Sequence, residues 1–317
     1  MTVESAADDH AVAAELAAEA GRLLLDVRDE VGFADGRALK DTGDLRAHEY
    51  LMAALAERCP GDAVLSEEGR AAVAGKRAVP GGAGGHHPTG QERTGDVDRA
   101  PTRNTADAER LAADRVWIID PLDGTREFSE EGRRDWAVHV ALWRRDPSGG
   151  GRLAAGAVAL PAQGLTLRTD ATGGALLVRT APEGQGPREA PLHVPAPDAG
   201  RLRIAVSRSR PPEFVRQMAE KIDPDVELVP IGSAGAKISA VLLGEVDAYV
   251  HAGGQYEWDS AAPAAVALAA GAHASRIDGS ALEYNRKDPR LPDILVCHPA
   301  SALTLLTGIQ DVHGALP

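Results

Sequence analysis

The sequence predicts an α/β protein built in two lobes. Three observations predict it. The chain has 317 residues, more than one small domain needs. Its first part reads as two amphipathic helices followed by short strands. From about residue 200, strands and helices alternate, the pattern of a mainly parallel or mixed sheet with helices on its faces.

Val12, Leu16, Leu23, Leu24 and Val27 recur at helical spacing over residues 9–28, with Asp8 or Asp9 as the cap. A second helix is expected from about Asp44, with Leu45, His48, Leu51, Met52 and Leu55 facing inward. Ahead of it, Lys40-Asp41-Thr42-Gly43-Asp44 reads as a polar loop hinged at Gly43. Short strands are expected at 62–65, 116–120, 136–143 and 153–160. Residues 70–115 break the pattern. They carry no aromatic side chain and few large aliphatic ones, too little apolar surface to offset their ordering entropy. A largely disordered insertion is expected there, with a short helix near 106–113. Residues 171–200, rich in Gly, Pro and Ala, read as a connection or surface excursion. Beyond them, strands are expected at 202–207, 226–229, 247–251 and 294–298, and helices at 211–222, 236–243, 260–270 and 301–309. The division is an α+β lobe over 1–195 and an α/β lobe over 196–317.

Composition narrows the function. A formal charge of -13 repels nucleic-acid polymers and anionic membranes, and does not forbid a small anion once metal ions reverse the local sign. No basic leader is visible and no apolar run reaches the ~20 residues that span a bilayer, so a cytoplasmic protein is expected. The two cysteines, Cys59 and Cys297, read as reduced thiols. The glycines at 81–85 follow no strand, and no Gly-x-Gly-x-x-Gly follows one either, so neither a phosphate loop nor a dinucleotide site is expected. His86-His87 read as solvated loop residues.

Acids carry the chemistry. Trp117-Ile118-Ile119 runs into Asp120-Pro121-Leu122-Asp123-Gly124-Thr125, a strand delivering two carboxylates to a sharp turn. Glu67-Glu68 end another short apolar run, and Glu257-Trp258-Asp259 precede an Ala-rich helix. Carboxylates gathered at the ends of buried elements raise one another's pKa, so a cluster of them calls for a cation. Hard oxygen donors suit Mg²⁺, which keeps some of its waters and often takes substrate phosphate as a further ligand. Two such ions suit phosphomonoester hydrolysis. Gly124 and Thr125 open the next segment, where backbone N–H groups can meet phosphate oxygens.

These residues resemble the inositol monophosphatase superfamily of Mg²⁺-dependent, Li⁺-sensitive phosphatases. Its pattern is Glu-Glu after a short strand, then Asp-Pro-(Ile/Leu)-Asp-Gly-Thr, then Trp-Asp before a helix of small residues. All three occur here in order. Asp120 through Phe128, Val206-Ser207-Arg208-Ser209 and Gly232-Ser233-Ala234-Gly235-Ala236-Lys237 are similar to the CysQ-type branch, the 3′(2′),5′-bisphosphate nucleotidases, and most like actinobacterial members. The resemblance implies a layered αβαβα sandwich, with Asp259 meeting the other acids where the lobes join. It implies a first Mg²⁺ on Glu67, Asp120 and the Leu122 carbonyl, a second on Asp120, Asp123 and Asp259, and a third, weaker ion shared by Glu67. Thr125, hydrogen-bonded to Asp44, would orient and help deprotonate the attacking water. Gly124 and Thr125 would grip the phosphate, and Ser207, Arg208, Ser233 and Lys237 would meet the rest of the substrate. Glu68 is read as a supporting residue. The implied reaction is hydrolysis of adenosine 3′,5′-bisphosphate to AMP in sulfur assimilation. Inositol 1-phosphate or fructose 1,6-bisphosphate is the alternative substrate, also within one broad specificity. His251 stands where many nucleotidases have Arg. A non-catalytic phosphate-binding protein is the rival from another class, opposed by the complete acid set. A homodimer is a family expectation.

Overall fold

The computed structural model describes residues 8–69, 104–180, 186, 188–198, 200–208, 211–222 and 225–313. Its elements are α1 (Asp9–Val31), α2 (Gly36–Arg58), β1 (Ala63–Ser66), α3 (Asp107–Ala112), β2 (Arg115–Asp123), α4 (Thr125–Phe128), β3 (Ala137–Arg145), β4 (Gly151–Leu160), β5 (Leu165–Thr169), β6 (Ala175–Arg179), β7 (Arg188–Leu192), β8 (Arg201–Ser207), α5 (Glu213–Ala219), β9 (Asp225–Ile231), α6 (Ala234–Leu242), β10 (Ala248–Tyr256), α7 (Glu257–Ala269), β11 (His273–Ser275), β12 (Arg290–Cys297) and α8 (Pro299–His313). The first sheet has the order β1-β2-β3-β4-β5-β6-β7 and the second β11-β12-β10-β8-β9. Only β1 and β2 are parallel in the first sheet; in the second, β10, β8 and β9 are parallel and β11 and β12 antiparallel.

Side-chain alternation explains the layers. On β2, Trp117 and Ile119 enter a core shared with α1 and α2, while Val116 and Ile118 enter a core shared with α6 and α7. A strand buried on both faces reads as one continuous apolar run, as this one does. On β8, Ala205 faces the middle core, whereas Leu202, Ile204 and Val206 face a third core with α5 and α8. Five layers result: α1/α2, the first sheet, α6/α7, the second sheet, α5/α8. Small residues make the middle layer thin enough. A Cβ on Gly156 of β4 would stand 2.7 Å from Ala265 Cβ and 3.0 Å from the Ala262 carbonyl of α7.

The structure corrects several expectations. The helix expected from Asp44 starts at Gly36, and residues 40–44 lie inside it. Asp35 supplies the cap, its Oδ1 accepting from the Arg37 and Ala38 N–H groups. Leu45, expected inward, is 56% exposed because the register is set by Leu39, Ala47, Leu51 and Leu55. Gly43 is not a hinge but a contact point: a Cβ there would lie 2.7 Å from Phe128 Cε1 and 3.2 Å from Leu122 Cδ2. Residues 171–200, expected as an excursion, supply β6 and β7, which pair antiparallel and extend the first sheet. Backbone pairing orders them, since only Ala175 of β6 and Leu192 of β7 are buried. Of the expected disordered insertion, residues 70–103 lie outside the described residues. Residues 104–115 are ordered: Asn104 bonds both backbone groups of Ser66, and α3 follows.

Gly43→Ala sets two effects against each other. Ala gains about 1 kcal/mol in helix propensity, but overpacking a core contact costs about 1–3 kcal/mol. With Phe128 itself fully buried, a net loss is expected, read as a lower urea midpoint; a higher midpoint would show that the ring yields freely.

Candidate metal and active site

β1 and β2 run parallel, so their C-terminal ends deliver Glu67 and Asp120 to the same edge. The pairing of β2 with β3 is irregular between Asp120 and Asp123, which turns both carboxylates to that edge. Asp120 is fixed by the Leu122 N–H, 3.0 Å from its Oδ1. Gly124 adopts φ 87°, and its missing Cβ would lie 2.9 Å from Ser233 Cβ, so the turn needs glycine on both counts. Asp259 enters from the third position of α7, its Oδ2 accepting from the Tyr256 N–H at 2.6 Å. Ligand oxygens of Asp120, Asp123 and Asp259 lie within 4.8 Å of one another. Glu67 borders the group with its carboxyl against that of Asp120.

Asp123 is gripped by the far side of the molecule. Ser233 Oγ donates to its Oδ2 at 2.5 Å, the Gly235 N–H to the same oxygen at 2.6 Å, and the Ala234 N–H to Oδ1 at 3.2 Å. The start of α6 is thus docked on a carboxylate of β2, as the helix dipole favours. Ser233 takes φ 46°, unusual for a residue with a side chain, and also caps α6 through the Ala236 N–H. From β3, His139 sets Nε2 3.2 Å from Asp123 Oδ2, an ion-pair contact without good hydrogen-bond angles, while Nδ1 lies 2.9 Å from the Trp258 carbonyl. A Cβ on Gly235 would fall 2.0 Å from His139 Nε2, so glycine is what lets helix and imidazole meet.

Electrostatics separate the acids. Burial pushes the Asp120 carboxyl well up, and Glu67, Asp123 and Asp259 push it further. Burial and then Asp259 raise Glu67 to about 8, against the hydrogen bond with Asp120. Asp259 rises to about 7 through burial and Asp123, although the Tyr256 N–H and His139 favour its charge. Burial would raise Asp123 too, but His139, Ser233 and Gly235 overcome it and bring the group to about 2. Burial likewise opposes a charged His139, yet Asp123 and the Trp258 carbonyl raise its pKa. His139 therefore balances Asp123 first and Asp259 in part. Among the described residues no Lys or Arg forms an ion pair with Asp120, Asp259 or Glu67, and an all-oxygen set of this kind fits a hard divalent ion.

The other expected site residues fall as follows. Thr125 Oγ1 donates to the Leu122 carbonyl at 3.2 Å and not to Asp44. Asp44 lies on α2 facing Glu68, raised to about 7 by burial and by Glu68. Arg208 bonds Glu127 Oε1 at 2.9 Å and both Glu130 oxygens at 3.0 and 3.1 Å. Ser207 ends β8. Lys237 is buried, and its Nζ bonds the carbonyls of Ser233 at 2.6 Å and Gly232 at 3.2 Å, holding the turn that carries Ser233. His251 is half-buried with Nε2 2.6 Å from the Gly253 carbonyl. Sequence reasoning missed His139. The available signal was an imidazole inside Ala137-Val138-His139-Val140-Ala141-Leu142, an otherwise apolar strand beside the aspartate motif.

A fold of this layering with these acids at its centre defines a class: the chain belongs to the inositol monophosphatase family, whose pattern it matches over residues 7–313. Individual relatives are more particular. A protein of Mycobacterium bovis named 3'-phosphoadenosine 5'-phosphate phosphatase is 48% identical over 294 residues, 92% of this chain and 90% of its own. One of Mycobacterium leprae with the same name is 45% identical over 309 residues, 96% of this chain and 94% of its own. Among solved structures, Mycobacterium tuberculosis SuhB matches with a TM-score of 0.64 and 25% identity over 97% of each chain. CysQ from Bacteroides thetaiotaomicron matches with a TM-score of 0.69 over 94% of this chain and 99% of its own; at 22% identity that likeness speaks for the fold. Among the described residues no helix is long and apolar enough to cross a membrane.

Proposed function

We propose that this chain is a Mg²⁺-dependent phosphomonoesterase that hydrolyses the 3′-phosphate of adenosine 3′,5′-bisphosphate, giving AMP and inorganic phosphate, as sulfur assimilation requires. The observation that carries the reading is near-full-length similarity, at 48% identity, to proteins named for that substrate, in a chain that brings Asp120, Asp123 and Asp259 into one cluster. Glu67, Asp120, the Leu122 carbonyl, Asp123 and Asp259 are the groups that would hold two or three ions. Bound there, the ions supply Lewis acidity at the phosphate and at the attacking water.

The chain's own residues do the rest. Asp44, poised at about 7, suits uptake of a proton from the attacking water near neutral pH. Thr125, whose Oγ1 donates to the Leu122 carbonyl, orients that water. The backbone N–H groups of Gly124 and Thr125 meet phosphate oxygens. Water attacks phosphorus, the P–O3′ bond breaks, and the ribose oxygen leaves with a proton. Ser233 and Lys237 hold the turn over Asp123, and Ser207 and Arg208 flank the substrate. A second phosphate would compete with Glu127 and Glu130 for the Arg208 guanidinium.

Phosphate release should be measured with adenosine 3′,5′-bisphosphate, inositol 1-phosphate and fructose 1,6-bisphosphate, each with Mg²⁺ and with added Li⁺. The bisphosphate nucleotide is expected to lead in kcat/KM, and Li⁺ to inhibit. Faster turnover of inositol or sugar phosphate would replace the nucleotide reading, and equal rates would mark a broad-specificity enzyme.

A further inference from the structure

The chain has four Trp, four Tyr and three Phe, and almost all are spent inside. Among the described residues Tyr256 is the only exposed aromatic, at 37%. Its place is specific. It ends β10, directly before α7, and its N–H holds the Asp259 carboxylate at 2.6 Å. The ring lies flat on Trp258, with centroids 4.6 Å apart and planes inclined by 6°. Trp258 is 4% exposed, sits in the middle core, and has its carbonyl tied to His139. One face of Tyr256 is therefore backed by a fixed indole, the side chain is exposed, and its backbone N–H is bonded to an acid of the cluster.

The strand leading to Tyr256 is irregular. β10 breaks register between Ala252 and Gln255. Gly253 and Gly254 there take φ 85° and 77°, with nothing within 4 Å of where a Cβ would stand. The cross-strand partner of Tyr256 is Arg290, whose guanidinium is held by Asp288. An exposed aromatic face stacks on a planar base. A purine is planar and apolar on its faces; an inositol or a furanose ring offers hydroxyls and no plane.

We infer that Tyr256, backed by Trp258, is the stacking platform for the substrate's nucleobase and a determinant of specificity for nucleotides over polyol phosphates. This rests on the nucleotide reading of the site. The phosphate end is held at Asp120, Asp123 and Asp259, and the peptide joining Tyr256 to that cluster fixes the distance between base and scissile phosphate. Nucleotides with other bases are expected to be accepted as well, because stacking discriminates bases weakly.

The test compares wild type, Tyr256→Ala and Tyr256→Phe. The readouts are kcat/KM for adenosine 3′,5′-bisphosphate, and inhibition by two ligands, AMP and inorganic phosphate. In Tyr256→Ala, KM for the nucleotide and the inhibition constant for AMP should rise about tenfold or more. Inhibition by inorganic phosphate should stay within twofold, which also shows that the site is intact. Tyr256→Phe should behave as wild type. Unchanged AMP inhibition in Tyr256→Ala overturns the inference while leaving the proposed substrate standing. Equal weakening toward AMP and phosphate assigns Tyr256 a structural role and also overturns it. Failure of wild type to hydrolyse the nucleotide would defeat the proposed function itself.

Discussion

Asp120→Asn is expected to lower turnover at least a hundredfold while making the metal-free protein more resistant to urea. Both effects have one cause. Asp120 is 1% exposed, and burial, Glu67, Asp123 and Asp259 all disfavour its charge. An amide keeps the shape and the acceptor for the Leu122 N–H but removes the negative charge from the centre of the cluster. Loss of that charge is expected to weaken cation binding, because Asp120 is the acid that touches both Glu67 and the aspartate group. The same loss relieves repulsion that the folded chain otherwise carries. Phosphate release at saturating Mg²⁺ and urea unfolding in EDTA are the two measurements. Turnover within threefold of wild type would remove the acidic cluster from the chemistry, and with it the proposed mechanism.

The metal-free protein is expected to lose stability as pH rises from about 4 to 8, and Mg²⁺ to restore it most at the upper end. Glu67 stands at about 8 and Asp259 at about 7, and Asp120 is also raised, all above ordinary carboxylate values. A folded state that holds protons the unfolded chain has already released is favoured at low pH. That advantage is complete below the ordinary carboxylate pKa and disappears as pH climbs through the folded values. Asp123 has the opposite sign, since its value of about 2 makes its contribution present above the ordinary pKa and lost only in strong acid, outside this window. Asp44 and Glu257, each at about 7, add to the slope away from the cluster. Mg²⁺ should therefore flatten the profile in part, and Asp120→Asn should flatten the metal-free profile in part. Thermal melts across this range, with EDTA and with Mg²⁺, read it directly. A Mg²⁺ shift equal at pH 5 and pH 8 would mean that the raised carboxyls are not the cation's ligands.

Legibility in the sequence followed the range of the interactions. β2 and β3 were readable because both faces of each strand are buried, leaving unbroken apolar runs. α2 was misplaced by eight residues because Gly43 looks like a hinge in isolation; its smallness answers to Phe128, which lies far along the chain. β6 and β7 were missed because their order comes from backbone pairing with a strand already in place, not from an apolar pattern of their own, and Gly- and Pro-rich composition hides such borrowed order. Asp120, Asp123 and Asp259 were recognisable as acids at element ends. Ser233 and Lys237 were recognisable as a motif, but their engagement with Asp123 and with the Gly232 and Ser233 carbonyls was not.

By itself the sequence determined the spacing of Asp120 and Asp123 on one turn, the polarity of each element and the excess of acid that demands a cation, because these depend only on covalent neighbours and on local periodicity. Tertiary structure alone decided that Asp259 reaches the same few ångströms, that His139 and the start of α6 hold Asp123 charged, and that Tyr256 lies flat on Trp258 beside them. Those contacts exist only when two sheets close on α6 and α7, and that closure depends on where Gly156, Gly235 and the alanines of α7 leave room, a matter of packing across the whole chain.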